Sequence, residues 1–308
     1  MNDAPTVGVV GARGHTGAEL VRLIGSHPTL DLVFAGSREL AGEPVPGHDG
    51  LVFESIGPED LAGRAVDVIV LALPDGAGDP YVAAVEPEAL IVDISADHRF
   101  DDEWVYGLPE LFREKLKGAS RIANPGCYAT ASQIALAPLV DVIEGVPAVF
   151  GVSGYSGAGT TPGPRNDPER LADNLMPYKL VGHNHEREAV RHLGIPVRFM
   201  PHVHPAFRGL LVTAHVPLGE TMTIDQLRAR FTTAYHEEPL VEISDGIPEL
   251  RDGAGHPGLI VGGFETSADG RNAVVVVAED NLLKGAAVQA VQNINLALGL
   301  PEFEGLTS

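Results

Sequence analysis

Hydrophobic positions follow two different rhythms along this chain. Over the first hundred residues, apolar runs at 6–10, 30–35, 67–72 and 90–94 are rich in β-branched side chains and predict buried strands. Between the first two, residues 16–26 place Leu20, Leu23 and Ile24 on one face of a helix. Near-continuous apolar strands that alternate with helices predict a parallel βαβ sheet covered on both faces. From about Asn124 the rhythm changes. A helix at 128–140 is followed by a strand at 147–153, a Gly- and Pro-rich stretch at 154–168, half-buried strands at 209–217 and 258–265, and a helix at 224–235 between those two strands. This mixture predicts an α+β region with a mostly antiparallel sheet. Four successive valines lie within 272–278. Residues 281–298 then predict one long amphipathic helix, with Leu282, Ala286, Ala290, Val291, Ile294 and Leu298 on its apolar face. No internal repeat or low-complexity tract interrupts the pattern.

Composition narrows the class. A chain of 308 residues suggests about two domains. Its 42 acidic and 21 basic residues give a formal charge of −21, which argues against a nucleic-acid-binding surface. Net charge does not exclude an anionic ligand, because a few local cations overrule the global field. One cysteine cannot form an intrachain disulfide, so the expected compartment is reducing and cytoplasmic. The polar start, Met1 to Pro5, has no basic segment followed by an apolar one, so no leader is expected. The apolar runs are too short to cross a bilayer.

Between the first strand and the first helix stands Gly11-Ala12-Arg13-Gly14-His15-Thr16-Gly17. Glycines at 11, 14 and 17 permit a tight turn, close backbone approach and helix–strand packing, and the N–H groups opening the helix suit a pyrophosphate. Residues Gly11, Arg13, Gly14, His15, Thr16 and Gly17 are therefore candidate dinucleotide contacts. Such spacing also serves geometry alone in many strand–helix turns. The second strand discriminates further: it ends in Ser37-Arg38, where an NAD-binding fold carries an acid for the ribose 2′-OH. A guanidinium there fits a 2′-phosphate, so NADPH is the expected cofactor. The expected fold is α/β. A doubly wound, Rossmann-like parallel sheet (1–126 and 280–308) carries an inserted α+β catalytic domain of mixed or antiparallel sheet (127–279), and the C-terminal helix returns to the first domain.

Cys127 follows Asn124-Pro125-Gly126 and opens a helix pattern. A thiol at a helix N-terminus meets unpaired N–H groups and the positive end of the dipole, which favour the thiolate and an oxyanion formed beside it. Most lone cysteines are instead small buried hydrophobes. The Pro-Gly turn favours the reactive reading.

These segments resemble those of the N-acetyl-γ-glutamyl-phosphate reductase family and, more distantly, of aspartate-semialdehyde dehydrogenases. The resemblance runs through the glycine turn, Ser37-Arg38, Asp93-Ile94-Ser95-Ala96-Asp97-His98-Arg99, the cysteine segment, Ser153-Gly154-Tyr155-Ser156-Gly157-Ala158-Gly159, His183-Asn184-His185, Pro201-His202, Arg208-Gly209 and Asp280-Asn281-Leu282-Leu283-Lys284-Gly285. It implies NADPH-dependent reduction of an acyl phosphate to an aldehyde in arginine biosynthesis, with Cys127 as nucleophile through a thioester. It places the acid or base in the His-x-His segment, at His183 or His185; His185 is preferred, with Glu188 three residues on to orient an imidazole. Ser95, Arg99, Asn124, Glu188 and Arg208 become candidate substrate contacts, and Asn281 a candidate nicotinamide contact or an ordinary N-cap. A homo-oligomer, dimer or tetramer, is implied.

Two departures stand out. Thr160-Thr161-Pro162 replaces the basic residue that usually follows Ser-Gly-Ala-Gly, which moves an anion contact elsewhere, Arg165 being one place, or marks another acyl group. Arg187-Glu188 replaces the usual Pro-Glu. The rival readings are the same chemistry on an aminoadipyl-type phosphate, an NADP-binding regulatory protein, and a Zn²⁺ enzyme using His183, His185, Glu188, His202 and His204. The metal reading leaves the glycine turn and the cysteine unexplained, so no metal is expected.

Overall fold

The apolar run Thr6–Val10 (β1) lies at the centre of a sheet, where only side chains that avoid water on both faces are stable. The structure, a computed structural model, describes residues 4–306. The polar start at Met1 to Asp3 lies outside them.

The chain divides into two compact units, 1–126 with 286–308, and 127–285. In the first unit, β1 is joined by β2 (Asp31–Gly36), β3 (Phe53–Glu54), β4 (Val68–Leu71), β5 (Leu90–Asp93), β6 (Val105–Tyr106) and β7 (Arg121–Ala123). The seven strands lie in the order β3-β2-β1-β4-β5-β7-β6, and every pair is parallel. The order reverses at β1, so the β1 turn sits at the switch point where doubly wound sheets take their ligands. Helices α1 (His15–Gly25), α2 (Asp79–Ala84) and α3 (Pro109–Leu116) accompany the sheet. Leu20, Leu23 and Ile24 of α1 are buried, as their spacing predicts.

The second unit begins with α4 (Cys127–Leu136), which is buried on every side from Tyr128 onward. Its sheet contains β8 (Ala148–Gly154), β9 (Met176–Pro177), β10 (Arg198–His204), β11 (Leu210–Pro217), β12 (Val241–Ile243), β13 (Leu259–Thr266) and β14 (Asn272–Glu279), in the order β12-β13-β14-β11-β8-β10-β9. The pairs β8–β10 and β12–β13 are parallel and the rest antiparallel, so the sheet is mixed. Helices α5 (Pro168–Leu171), α6 (Asn184–Leu193), α7 (Ile224–Tyr235) and α8 (Leu250–Gly253) complete it. α4 and α7 pack on one face over Tyr128, Ile134, Phe199, Val212 and Phe231. The opposite face presents Phe150, Val152, Met200, Leu211 and Thr213, all intermediate or exposed.

Past β14 the amphipathic-helix expectation needs correction. Residues Leu283–Ala287 form a π-helical turn, and an α-helix, α9, runs only from Val288–Leu298. α9 is buried all round from Val288 to Leu296, polar residues included, because those residues have partners in the first unit. Asn293 Nδ2 donates to Gly107 O (2.9 Å) and Asn124 Oδ1 (3.0 Å), and Gln292 Nε2 donates to Glu302 Oε1 at 2.8 Å. Glu302 also receives Arg113 of α3 bidentately, at 2.9 and 3.0 Å. The helix returns to the first unit and packs on α1, α3 and β5. Residues 280–285, grouped by their pattern with that helix, belong to the second unit. Among the described residues, no helix is long and apolar enough to cross a membrane.

Candidate active site

The glycine turn follows from close packing. Gly11 has φ +88°, and a Cβ there would lie 2.2 Å from Ala72 O; one on Gly17 would lie 2.2 Å from Gly11 O. These two glycines are required by the protein itself. Gly14 is not: a Cβ there meets only Gly11 O, at an ordinary 3.5 Å. Gly14 is the N-cap of α1 and supplies no side-chain cap, and a helix that opens on glycine suits the approach of an anion. At the end of β2, Ser37 Oγ is a turn acceptor for Leu40 N–H (3.2 Å), whereas Arg38 is exposed. Arg13 pairs with Glu39 at 3.1 Å, so the neighbouring acid is taken by a residue of the glycine turn. The turn, its uncapped helix and Arg38 fit a dinucleotide bearing a 2′-phosphate.

The segment after β5 is turned inward. Asp93 is fully buried and its carboxylate receives Ser95 N–H (3.0 Å), Ser95 Oγ (2.7 Å) and His98 Nδ1 (2.8 Å). The His98 ring stacks on Trp104 at 3.9 Å. Arg99, 7% exposed, donates from Nε to Asn124 O (2.8 Å) and from Nη2 to Ile94 O (2.6 Å). Asn124 is fully buried, held by Asn293 on Oδ1 and donating from Nδ2 to Ala286 O at 3.2 Å. The candidate contacts Ser95, Arg99 and Asn124 thus form the frame of the turn that ends at Gly126.

Cys127 is the first residue of α4 and lines a small cavity of about 30 Å³ with Ser153, Gly157, Arg165, Tyr178 and His185. His185 enters that cavity from the first turn of α6, and His183 does a different job. His183 is the N-cap of α6: its Nδ1 accepts the His185 N–H at 3.2 Å, and the residue is 7% exposed. Burial, then the neighbouring His185 and Lys179, lower its pKa from 6.5 to about 3 against the pull of Glu188. His183 is therefore neutral near pH 7. Glu188, fully buried on the same helix, is near enough for its charge to act on His183.

Tyr178 and Arg165 have no rhythmic signal in the sequence. Two-residue β9 brings Tyr178 to the cavity, and the Arg165 guanidinium lies 4.8 Å from the centre of its ring. Burial and the charge of Cys127 push the Tyr178 phenol up, and Arg165 opposes them.

The Asp280 segment meets the site at Cys127. Asp280, buried, accepts Leu282 N–H (2.8 Å) and Gly255 N–H (2.6 Å) and lies 3.5 Å from Arg208 Nη1. Asp280, not Asn281, is therefore the capping side chain. Asn281 ties two loops together, accepting Gly209 N–H at 3.0 Å and donating to Ser156 Oγ at 2.9 Å. Gly285 packs directly on the cysteine: a Cβ at Gly285 would lie 2.7 Å from Cys127 Cβ and 3.0 Å from Glu279 Oε1. Among the described residues no three His, Cys, Asp or Glu side chains gather as a ligand set. His202 and His204 turn their Nδ1 atoms to local backbone, at Met200 O and Ala206 N–H.

Comparison with known proteins agrees along the whole chain. Residues 6–119 match the model of the semialdehyde dehydrogenase NAD binding domain, and residues 127–281 that of the semialdehyde dehydrogenase dimerisation domain. The chain is 53% identical to the N-acetyl-gamma-glutamyl-phosphate reductase of Xanthomonas campestris pv. campestris (strain B100), covering 98% of each chain. It is 51% identical to that of Stenotrophomonas maltophilia (strain R551-3), covering 99% of each. Among solved structures, aspartate semialdehyde dehydrogenase II of Vibrio cholerae, complexed with ASA, aligns with TM-score 0.79 at 20% identity over 96% of this chain and 98% of that one. Aspartate semialdehyde dehydrogenase of Candida albicans, solved with NADP, aligns with TM-score 0.74 at 17% identity, covering 96% and 98%. These two share the fold. Full-length identity above one half places the sequence more narrowly: the chain belongs to the semialdehyde dehydrogenases, in the family of N-acetyl-γ-glutamyl-phosphate reductases.

Proposed function

We propose that this chain reduces N-acetyl-γ-glutamyl phosphate to the semialdehyde with NADPH, a step of arginine biosynthesis, and that Cys127 is its nucleophile. One observation carries the reading: the only cysteine opens α4 and shares its cavity with His185, in a chain half identical to such reductases from end to end. An anion at Cys127 Sγ is favoured by the positive end of α4. His185 accepts the thiol proton, and the thiolate attacks the acyl carbon. The bond from that carbon to the phosphate oxygen breaks, leaving a thioester, and His185 returns the proton to the departing phosphate. NADPH, when bound, supplies the hydride that reduces the thioester to a thiohemiacetal. The alkoxide of that adduct expels Cys127 as a thiolate and releases the aldehyde.

Gly11, Gly14, His15, Thr16 and Gly17 would receive the pyrophosphate, and Ser37 and Arg38 the 2′-phosphate. Arg13, paired with Glu39, frames that pocket. His183 holds the start of α6, and Glu188 supports it. Ser95, Arg99, Asn124, Arg208 and Asn281 act by positioning, since each is tied to protein partners. We infer that copies associate through the sheet face carrying Phe150, Met200 and Leu211, and that the enzyme works in the cytoplasm.

The test is phosphate-dependent NADP⁺ reduction with N-acetylglutamate semialdehyde. Cys127→Ser should lower kcat at least about a thousandfold, with cofactor binding by fluorescence unchanged. Retention of most of the activity would remove Cys127 from the mechanism.

A further inference from the structure

The cavity beside Cys127 carries a positive charge that the reaction scheme above leaves idle. Arg165 is the one permanently charged side chain among the residues lining it. Its loop is fixed from within: Asn166 Nδ2 donates to Gly159 O (2.9 Å) and Thr161 O (2.8 Å), and Asn166 Oδ1 accepts Gly163 N–H at 2.8 Å. Asp167 then caps α5 through Glu169 N–H at 3.0 Å, which anchors the other end of the segment. The guanidinium lies over the Tyr178 ring, 4.8 Å from its centre, so the flat cation is supported where it borders the cavity. A planar fork of donors presented this way suits a phosphate or a carboxylate. In a chain of net charge −21, a local cation opposes the repulsion that the rest of the chain exerts on an anion.

We propose that Arg165, braced by Tyr178 and the Asn166 clasp, is the anion-binding residue of the Cys127 cavity and receives an oxyanion of the acyl substrate. This rests on the assignment of Cys127 as the reacting thiol. Two groups share the required chemistry, the phosphoryl group and the α-carboxylate of the acylamino acid, and the experiment separates them.

Because the chain has one cysteine, alkylation by iodoacetamide reports on this cavity alone. The rate is followed by mass spectrometry against inorganic phosphate in one series and N-acetylglutamate in the other, for wild type, Arg165→Ala and Arg165→Lys. The expected result is saturable protection of the wild type, with the half-protecting concentration of one anion raised about tenfold or more in Arg165→Ala and by less in Arg165→Lys. A shift confined to phosphate assigns the phosphoryl group, and a shift confined to N-acetylglutamate assigns the carboxylate. Identical protection of wild type and Arg165→Ala by both anions overturns the proposal, as does absence of protection in the wild type. A wild type that is protected through Arg165 yet fails to reduce NADP⁺ with phosphate and the semialdehyde refutes the assigned reaction and keeps the anion site.

Discussion

Two groups of polar side chains flank the Asn124-Pro125-Gly126 turn in sequence, one in each unit, and they are built for different ends. In the first unit, Asp93, Ser95, His98, Arg99 and Asn124 are all at most 8% exposed and bond to one another or to nearby backbone. In the second, Cys127, Arg165, Tyr178 and His185 line one small cavity. Both groups lie in segments that resemble a reductase or adjoin them, so resemblance alone does not distinguish a residue that touches substrate from one that braces a loop. Burial and hydrogen-bond direction do. An inward carboxylate with three donors stabilises a loop, while a half-buried thiol that opens a helix borders a cavity.

The contrast is broken or sharpened most strongly at Gly285. Its hydrogen is the only atom that fits against Cys127 Cβ, so Gly285→Ala must shift Cys127, the proposed nucleophile. We expect kcat to fall about a hundredfold, because displacement of about 1 Å is enough for that loss, with NADPH binding retained. Single-turnover kinetics with a normal circular dichroism spectrum would check it. At Ser95 the expectation is reversed. Ser95→Ala removes a hydrogen bond to the buried Asp93 carboxylate and should cost about 2 kcal/mol, a drop of about 4–8 °C in Tm, without altering the substrate KM. A raised KM at unchanged Tm would move Ser95 from the frame into the site.

The smallest effect belongs to His183. Its pKa is about 3 in the folded chain and 6.5 as a free side chain, so the unfolded chain takes up the proton first. The stability it contributes is complete above about pH 6.5 and is lost as pH falls toward 3. An asparagine in its place would keep a capping acceptor and lose the titration. Between pH 7.5 and 6.0 the Tm of wild type should therefore fall about 2–3 °C further than that of His183→Asn, measured by scanning fluorimetry. Parallel curves would show that His183 is not what makes α6 acid-sensitive.

What can be read from the sequence depends on how local its cause is. The β1 turn, the strands at 6–10 and 90–94 and the cysteine at a helix start all follow from adjacent residues, and the structure has them. The strand Arg198–His204 alternates buried and half-buried positions, but Pro201 and two histidines disguise the pattern. Tyr178 reaches the cavity through a two-residue strand, too short for any periodicity to register. The last helix misleads for a different reason: Gln292, Asn293 and Asn295 mark a wet face by type, yet each finds a partner outside the helix. Polarity is visible in the sequence, but its satisfaction depends on tertiary structure.

That last helix also sets an order of events during synthesis. The second unit is one continuous stretch, 127–285, whereas the first is closed by α9 from the far end of the chain. The first unit begins earlier but lacks the side chains that satisfy Asn124, Gly107 and Arg113 until residues 292–302 have emerged. Completion of the amino-terminal unit therefore waits for the end of the chain, although such units usually fold first. The sheet that starts the chain is closed by residues that are made last, so any truncation before residue 288 leaves the buried Asn124 and Gly107 without the Asn293 side chain that bonds them.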